Sequence, residues 1–221
     1  MIISFISLKG GVGKTTLSIN LGAYLKKFYN YKVLLIDTNG KYSQNLFYLK
    51  ENNFYGNRLW NDIKITPFYH LKIIDRLPET YINDINYLKR VYDIIIFDVF
   101  PNPELIIDIS RISDIIFLVI NPDFYSLYVN RKLYNYLEKD KVKIVVNKYD
   151  KSLDLDFISE VFEKDVYCAI PMNKDLSIFQ YKYAPISFYN EKSKALNYID
   201  QLSYLVTGKR IKKGIFSKIF G

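Results

Sequence analysis

The feature that most constrains the fold of this chain is a glycine-rich segment near its start, at residues 9–16. It reads Lys-Gly-Gly-Val-Gly-Lys-Thr-Thr and follows an apolar run that is typical of a buried strand. The residues after it, from Leu17 to Phe28, carry apolar side chains at helical spacing. A glycine loop between a strand and a helix binds phosphate, because its N–H groups turn inward and the helix N-terminus is partly positive.

Two side chains of this segment indicate a nucleotide rather than free phosphate. Lys14 is placed to reach the β- and γ-phosphates, and the Thr15 hydroxyl is placed to bind Mg²⁺. The alternative is an ordinary glycine turn, which three glycines followed by Lys-Thr disfavour. The predicted nucleotide-binding residues of the loop are Gly10, Gly11, Val12, Gly13, Lys14, Thr15 and Thr16.

Seven short apolar runs predict the strands of the fold. They are rich in Ile and Val and do not alternate with polar residues, as expected for strands covered on both faces. Segments long enough for helices separate most of them, among them 80–90, 126–139 and 153–164. The pattern predicts a doubly wound, mostly parallel α/β sheet of about seven strands with helices on both faces. The predicted strands are 2–7, 33–37, 71–74, 93–98, 115–120, 142–147 and 166–170, and residues 51–68 are interpreted as a helix end and loop.

Two predicted strands end in a carboxylate. Ligands of such sheets bind at the carboxyl ends of the strands, so Asp37 and Asp98 are placed to hold Mg²⁺, Asp98 through a water molecule. Asp37 is alternatively placed to orient an attacking water, or simply to cap the next helix. With Thr15 they form the predicted metal site. Asn147 also ends a strand, where it can bind a base edge or cap a turn.

Charge and composition narrow the classes of function. The net charge is +8, and residues 209–221 contribute five basic residues and no acid, which favours an anionic partner. The one cysteine, Cys168, excludes an intrachain disulfide and is compatible with the cytoplasm, and the one histidine gives little support for a metal site. No signal peptide or membrane-spanning run is expected.

The string at residues 9–16 resembles the deviant P-loop of the ParA/MinD family of ATPases, and the resemblance extends to about residue 208. It implies ATP and Mg²⁺ as cofactors and a homodimer that sandwiches ATP, with Lys9 reaching the nucleotide of the partner subunit. It also implies that Asp98 is the Walker B carboxylate. Asn147, Pro171 and Met172 would lie beside the adenine, although Asn-Lys-Tyr-Asp at 147–150 also fits the spacing of a GTPase base motif.

One departure from the family bears on catalysis. The family usually has a second Asp two residues after the first, and this chain has Asn39 there. Asn can hydrogen-bond a water but cannot accept its proton, so we expect slow hydrolysis with binding and dimerisation preserved. The predicted catalytic residues are Lys9, Lys14, Asp37 and Asn39. A metabolic P-loop enzyme and a scaffold without turnover are further interpretations.

Family members divide by the surface that the dimer binds. ParA-type members bind DNA without sequence preference and position plasmids or chromosomes with a centromere-binding partner, whereas MinD-type members bind membrane and position division or other machinery. The resemblance therefore implies a centromere-binding or activator protein as a partner. We favour the ParA type, which acts on nucleoid DNA. Residues 1–208 are predicted to form the P-loop ATPase domain. The basic tail, residues 209–221, has an amphipathic pattern that fits an anionic membrane, DNA phosphates or a helix docked on its own domain. The predicted surface residues are Lys182, Lys192, Lys194, Lys209, Arg210, Lys212, Lys213 and Lys218.

Overall fold

The computed structural model describes residues 1–43, 63–177 and 184–211, and eight strands within them form one sheet. The order across the sheet is β3-β4-β2-β5-β1-β6-β7-β8. Their bounds are β1 Ile2–Ile6, β2 Val33–Asp37, β3 Lys64–Ile65, β4 His70–Ile73, β5 Ile94–Asp98, β6 Ile115–Ile120, β7 Val142–Tyr149 and β8 Val166–Pro171.

Every neighbouring pair in this sheet is parallel except β3 and β4. The prediction of a mostly parallel, doubly wound sheet is therefore confirmed. The predicted number of strands was one too few, because β3 lies inside the segment that we interpreted as a helix end and loop. β3 pairs through only Lys64 and Ile65, which is too short to leave a periodic pattern in the sequence.

Helices cover both faces of the sheet, as predicted. Their bounds are α1 Lys14–Tyr29, α2 Tyr81–Val91, α3 Pro103–Ile112, α4 Phe124–Tyr134, α5 Leu155–Phe162, α6 Lys174–Ser177, α7 Ile186–Tyr189 and α8 Leu196–Thr207. Apolar residues of α1, α7 and α8 pack with Ile3 and Phe5 on one face. Those of α2, α3, α4 and α5 pack with Ile2 and Ile6 on the other. Alternate residues of β1 thus enter two separate cores.

Side-chain caps explain where some helices begin. The Asp123 carboxylate accepts the Ser126 N–H at 2.8 Å, so α4 starts two residues before the predicted position. α4 also ends at Tyr134, five residues before the predicted end. α3, which the predictions did not name, follows Asn102, whose side chain accepts the Leu105 N–H at 2.9 Å, with proline in its first turn.

The sheet places its polar strand ends along one edge. β1 lies between β5 and β6, and β5 lies between β1 and β2, so the loops after these strands meet at the carboxyl edge. No helix among the described residues is long and apolar enough to cross a bilayer. The candidate functional site lies at this edge.

Candidate functional site

The glycine loop connects the centre of the sheet to the first turn of α1. Gly13 is the N-cap of α1 and has φ of 100°, a left-handed conformation that side chains disfavour. A Cβ atom at this position would lie 2.2 Å from Nδ2 of Asn147, so glycine is also required by the close approach of β7. The N-terminus of a 16-residue helix therefore opens towards the carboxyl edge, where it can bind an anion.

A cavity of about 600 Å³ lies against this loop. Its size is within the range of small-molecule and cofactor sites. Residues that follow β1, β2, β5 and β8, or lie in the last residues of β7 and β8, contribute to its wall. The lining residues are Gly10, Gly11, Gly13, Lys14, Thr15, Thr16, Asn39, Tyr42, Phe100, Pro101, Asn147, Lys148, Pro171, Met172, Asn173 and Leu176.

The predicted metal-binding residues meet beneath this cavity. The Thr15 hydroxyl donates a hydrogen bond to Oδ2 of Asp98 at 2.6 Å. The other carboxylate oxygen of Asp98, Oδ1, is buried and has no hydrogen-bond partner among the residues that the structure describes. Burial and the charge of Asp37 raise the pKa of Asp98 to about 7, against the opposing effects of Thr15, Lys14 and Asn39. A cation beside Oδ1 would favour the ionised form of this carboxylate.

These residues fit a magnesium ion that arrives with a nucleotide. Mg²⁺ prefers oxygen ligands and keeps several waters, so it uses one or two carboxylates together with phosphate oxygens. Thr15 and the unpartnered oxygen of Asp98 supply such ligands. Within the described parts of the chain, no group of three or more His, Cys, Asp or Glu side chains is arranged to hold a metal without a nucleotide.

Asp37 differs from Asp98 in how its oxygens are used. Its Oδ1 accepts hydrogen bonds from the Asn39 backbone N–H at 2.8 Å and from the Asn39 side chain at 2.6 Å. Its Oδ2 accepts the Ser43 hydroxyl. Both oxygens therefore bind the loop after β2. Asn39 lines the cavity, whereas Asp37 lies fully buried behind it.

Lys14 is the cation of the phosphate end. Its side chain is buried, which lowers the pKa of the ammonium group, while the charge of Asp98 acts in the opposite direction. A phosphate in the cavity would relieve this desolvation, because it would place a second anion beside the ammonium group.

Lys9 does not line the cavity, and its side chain contacts the start of α4. Its ammonium group binds Oδ2 of Asp123 at 2.6 Å, and it lies 5.9 Å from the centre of the Tyr125 ring. Partial burial opposes ionisation of Asp123, but the hydrogen bonds from Lys9 and from the Ser126 N–H outweigh it and lower the pKa of that carboxyl group. The sequence did not predict this pair, because 114 positions separate its members.

The far end of the cavity is formed by β7 and β8. The Asn147 side chain donates to the Val12 carbonyl at 2.7 Å, and the Lys148 ammonium donates to the Gly11 carbonyl at 2.8 Å. Val12 itself points into the core and contributes only its carbonyl. Pro171 and Met172 line the cavity, as expected from the resemblance, and Met172 is 72% exposed.

Sequence reasoning missed several residues of the site. Lys148, Tyr42 and Phe100 line the cavity, and Ser43 completes the shell of Asp37. Lys148 follows the predicted Asn147, so its position at a strand end was the available signal. Tyr42 follows β2 and Phe100 follows β5, and these segments meet only because the two strands are neighbours in the sheet.

The predicted surface residues fall partly outside the described residues. Lys182, Lys212, Lys213 and Lys218 are among those not described. Lys192, Lys194, Lys209 and Arg210 are exposed. The start of the tail contacts the domain, since the Lys209 carbonyl accepts the Tyr29 hydroxyl at 3.0 Å and Ile211 packs against the core that contains α1.

A family model covers most of the chain. The model of the CobQ/CobB/MinD/ParA nucleotide binding domain matches residues 3–186. No curated protein matches the sequence.

Solved structures show the same fold. The septum site-determining protein MinD of Pyrococcus horikoshii, complexed with Mg-ADP, is 23% identical, with 99% of each chain covered and a TM-score of 0.76. The MinC:MinD cell division protein complex of Aquifex aeolicus gives 24% identity, coverage of 96% and 97%, and a TM-score of 0.78. A ParA family ATPase from Chlorobium tepidum gives 19% identity, coverage of 90% and 96%, and a TM-score of 0.76.

Proposed function

Because this chain belongs to the CobQ/CobB/MinD/ParA nucleotide-binding family, we propose that it is an ATP-dependent switch of the ParA type. ATP and Mg²⁺ bring two copies together, the dimer binds duplex DNA without sequence preference, and hydrolysis releases it. A centromere-binding protein would then couple this cycle to plasmid or chromosome partition.

The observation that carries the proposal is the position of Lys9. This lysine belongs to the loop that binds the phosphates, yet its ammonium group lies outside the cavity of its own subunit and binds Asp123. A cation beside the phosphates, but not directed at them, is available to a nucleotide on a second copy. We therefore expect Lys9→Ala to leave nucleotide binding by the monomer intact and to prevent ATP-dependent dimerisation.

Adenine is favoured over guanine by the Lys-Gly-Gly loop of the family, and Asn147 is compatible with it. Its amide nitrogen donates one N–H to the Val12 carbonyl, and its Oδ1 can accept a hydrogen bond from the 6-amino group of adenine. Competition of ATP and GTP for a labelled nucleotide tests this preference.

Hydrolysis is expected to be slow. Mg²⁺ would neutralise charge on the phosphates, and Lys14 and the first turn of α1 would hold them in place. Asn39 lines the cavity at the position where the family usually has its second Asp, and its amide cannot take the proton. Slow turnover would make ATP chiefly a dimerisation signal.

The DNA surface is proposed around Lys192 and Lys194. Both are exposed, and neither forms an ion pair within residues 1–43, 63–177 and 184–211. The neighbouring acid, Glu191, is paired with Lys27, which removes a negative charge from this surface. Lysines of this kind bind phosphates without reading bases.

A membrane-binding function of the MinD type is the second candidate. The observation that favours it is the sequence after residue 211, in which lysines flank Ile215, Phe216, Ile219 and Phe220. A basic amphipathic segment of this kind binds anionic lipid reversibly.

One paired experiment distinguishes the two candidates. ATP-dependent binding to random-sequence duplex DNA and to vesicles of anionic phospholipid is measured for the full chain and for a chain that ends at Ile211. Ending at Ile211 keeps the residue that packs against the core. DNA binding that survives truncation supports the ParA type, and vesicle binding that is lost supports the MinD type. If neither surface is bound, both candidates are wrong.

A charge variant then locates the DNA surface. Replacing Lys192 and Lys194 by Ala should reduce the slope of log affinity against log salt by roughly 2, because each phosphate contact contributes about 0.9. The matched control replaces Lys89 and Arg90, two exposed basic residues of α2 on the opposite face of the sheet. An equal loss in both variants would contradict the proposed surface.

A further inference from the structure

Asn39 lies between the two buried carboxylates of the phosphate end. Its side-chain nitrogen donates to Oδ1 of Asp37 at 2.6 Å and to Oδ2 of Asp98 at 3.2 Å. The chemistry fixes the orientation of the amide, because its oxygen would otherwise face two carboxylate oxygens, an acceptor against two acceptors. One amide group therefore joins Asp37 to Asp98.

Two acidic side chains meet at Asn39. Asp37 and Asp98 have no exposed surface, and the charge of the buried Lys14 acts on Asp98. Two buried carboxylates that face each other are unfavourable unless donors or cations lie between them. The Asn39 amide supplies a donor at that position.

The amide also ties a loop to the sheet. Asn39 binds Asp37 through both its backbone and its side chain, and Ser43 binds the other oxygen of Asp37. Thr38 in the same loop contacts the end of β5, where its hydroxyl accepts the Phe100 N–H at 2.7 Å. The segment from Thr38 to Ser43, which includes the cavity residue Tyr42, is thus held by the groups that surround the two carboxylates.

We propose that Asn39 takes the place of a cation in the metal-free protein. Its amide holds Asp37 and Asp98 together and keeps the loop at residues 38–43 in place before Mg²⁺ and a nucleotide bind. The inference rests on the proposed function, which assigns Mg²⁺ and ATP to this cavity. Asn39 acts through the two carboxylates and is a positioning residue. Asn39 therefore does more than replace the acid that the family usually has at this position.

Thermal unfolding of the nucleotide-free protein tests the proposal. The wild type, Asn39→Asp and Asn39→Ala are each unfolded in EDTA and in millimolar Mg²⁺, with K⁺ added to equal ionic strength. We expect Mg²⁺ to change the Tm of the wild type by less than about 2 °C. In EDTA, Asn39→Asp should unfold at least about 5 °C below the wild type, because it places three carboxylates together, and Mg²⁺ should restore most of the loss.

Asn39→Ala separates the missing donor from the added charge. It removes the hydrogen bonds without adding a carboxylate, so its Tm in EDTA should lie between those of the wild type and Asn39→Asp. Mg²⁺ should raise its Tm by more than that of the wild type. This variant also keeps the test decisive if Asn39→Asp does not fold.

Asn102→Asp is the matched control for the change of amide to carboxylate. Asn102 is exposed and caps α3 through an acceptor oxygen, which aspartate retains. Its Tm should follow that of the wild type in both buffers. The proposal is overturned if the two Asn39 variants unfold like the wild type in EDTA, or if Mg²⁺ restores neither of them.

A further arm with Mg²⁺ and ATP on the wild type keeps the two proposals separate. Stabilisation by Mg-ATP together with unaltered Asn39 variants would leave the proposed function standing and reject this inference alone. A wild type that no nucleotide stabilises would reject the proposed function, while the comparison in EDTA and Mg²⁺ would still test Asn39.

Discussion

The two ends of the cavity are built in different ways. At the phosphate end, β1, β2 and β5 bring together buried ionisable groups, and side-chain hydrogen bonds join Thr15 to Asp98 and Asn39 to both Asp37 and Asp98. At the base end, Asn147 and Lys148 contact backbone carbonyls, and Met172 is largely exposed. Buried charges make interactions strong and costly to leave unpaired, whereas backbone contacts and exposed apolar surface contribute less. Affinity should therefore come chiefly from the phosphate end.

The largest effect is expected from Lys14→Ala. The substitution removes the buried cation of the phosphate end and leaves Asp98 without its charge partner. We expect the affinity for Mg-ATP, measured by titration of a fluorescent nucleotide, to fall by at least about 100-fold. Lys174→Ala is the control, since this exposed lysine lies on α6 behind the base end. A loss of affinity below tenfold for Lys14→Ala would contradict the view that the phosphate end contributes most of the affinity.

Asp98→Asn should have the next largest effect on nucleotide affinity, and the size of this effect should depend on whether Mg²⁺ is present. Affinity for Mg-ATP should fall by roughly tenfold or more, because the amide replaces the carboxylate that we assign to the metal. Nucleotide binding in EDTA should change far less. A similar loss with and without Mg²⁺ would contradict the assignment.

The same variant predicts a pH dependence in the nucleotide-free protein in EDTA. Burial raises the pKa of Asp98 to about 7, so the stability that its protonated form contributes is present below the unfolded pKa of about 4 and lost as pH rises through 7. The asparagine does not ionise. The free energy of unfolding of Asp98→Asn relative to wild type should therefore increase between about pH 4 and pH 8. Urea titrations across this range measure it, and a constant difference would contradict the raised pKa.

A smaller effect is expected from Asn147→Ala at the base end. The substitution removes the donor to the Val12 carbonyl and the acceptor for adenine. We expect a loss of about tenfold in ATP affinity and a smaller ratio of ATP to GTP affinity. Asn173→Ala, at another residue of the same wall, serves as the control. An undiminished preference for ATP would show that adenine is read elsewhere.

Met172→Ala should have the smallest effect. The side chain lines the cavity but is 72% exposed, so the protein does not hold this flexible side chain in one position against a base. We expect a change of less than about threefold in ATP affinity by the same titration. A loss as large as that of Lys14→Ala would show that the base end dominates binding.

The sequence predicted those site residues that directly follow a recognisable strand along the chain. The glycine loop, Thr15 and the strand-end carboxylates were predictable, because each follows a recognisable apolar run. The strands were predictable for the same reason, apart from the two-residue β3. Contacts between distant segments were not, such as Lys9 with Asp123 or Lys148 with the Gly11 carbonyl. They depend on the order of the strands across the sheet, which periodicity does not reveal.

One buried side chain connects the start of the phosphate loop to α4. Oδ1 of Asn130 accepts the Leu8 N–H at 2.9 Å and the Ser7 hydroxyl at 3.2 Å, while its nitrogen donates to the Ser126 carbonyl at 2.8 Å. A single amide thus sets the distance between the segment that carries Lys9 and the helix that begins after Asp123. In evolutionary terms, a substitution at position 130 requires a compensating change elsewhere. A descendant that loses this asparagine must acquire another acceptor for Leu8, or the pairing of Lys9 with Asp123 is lost with it.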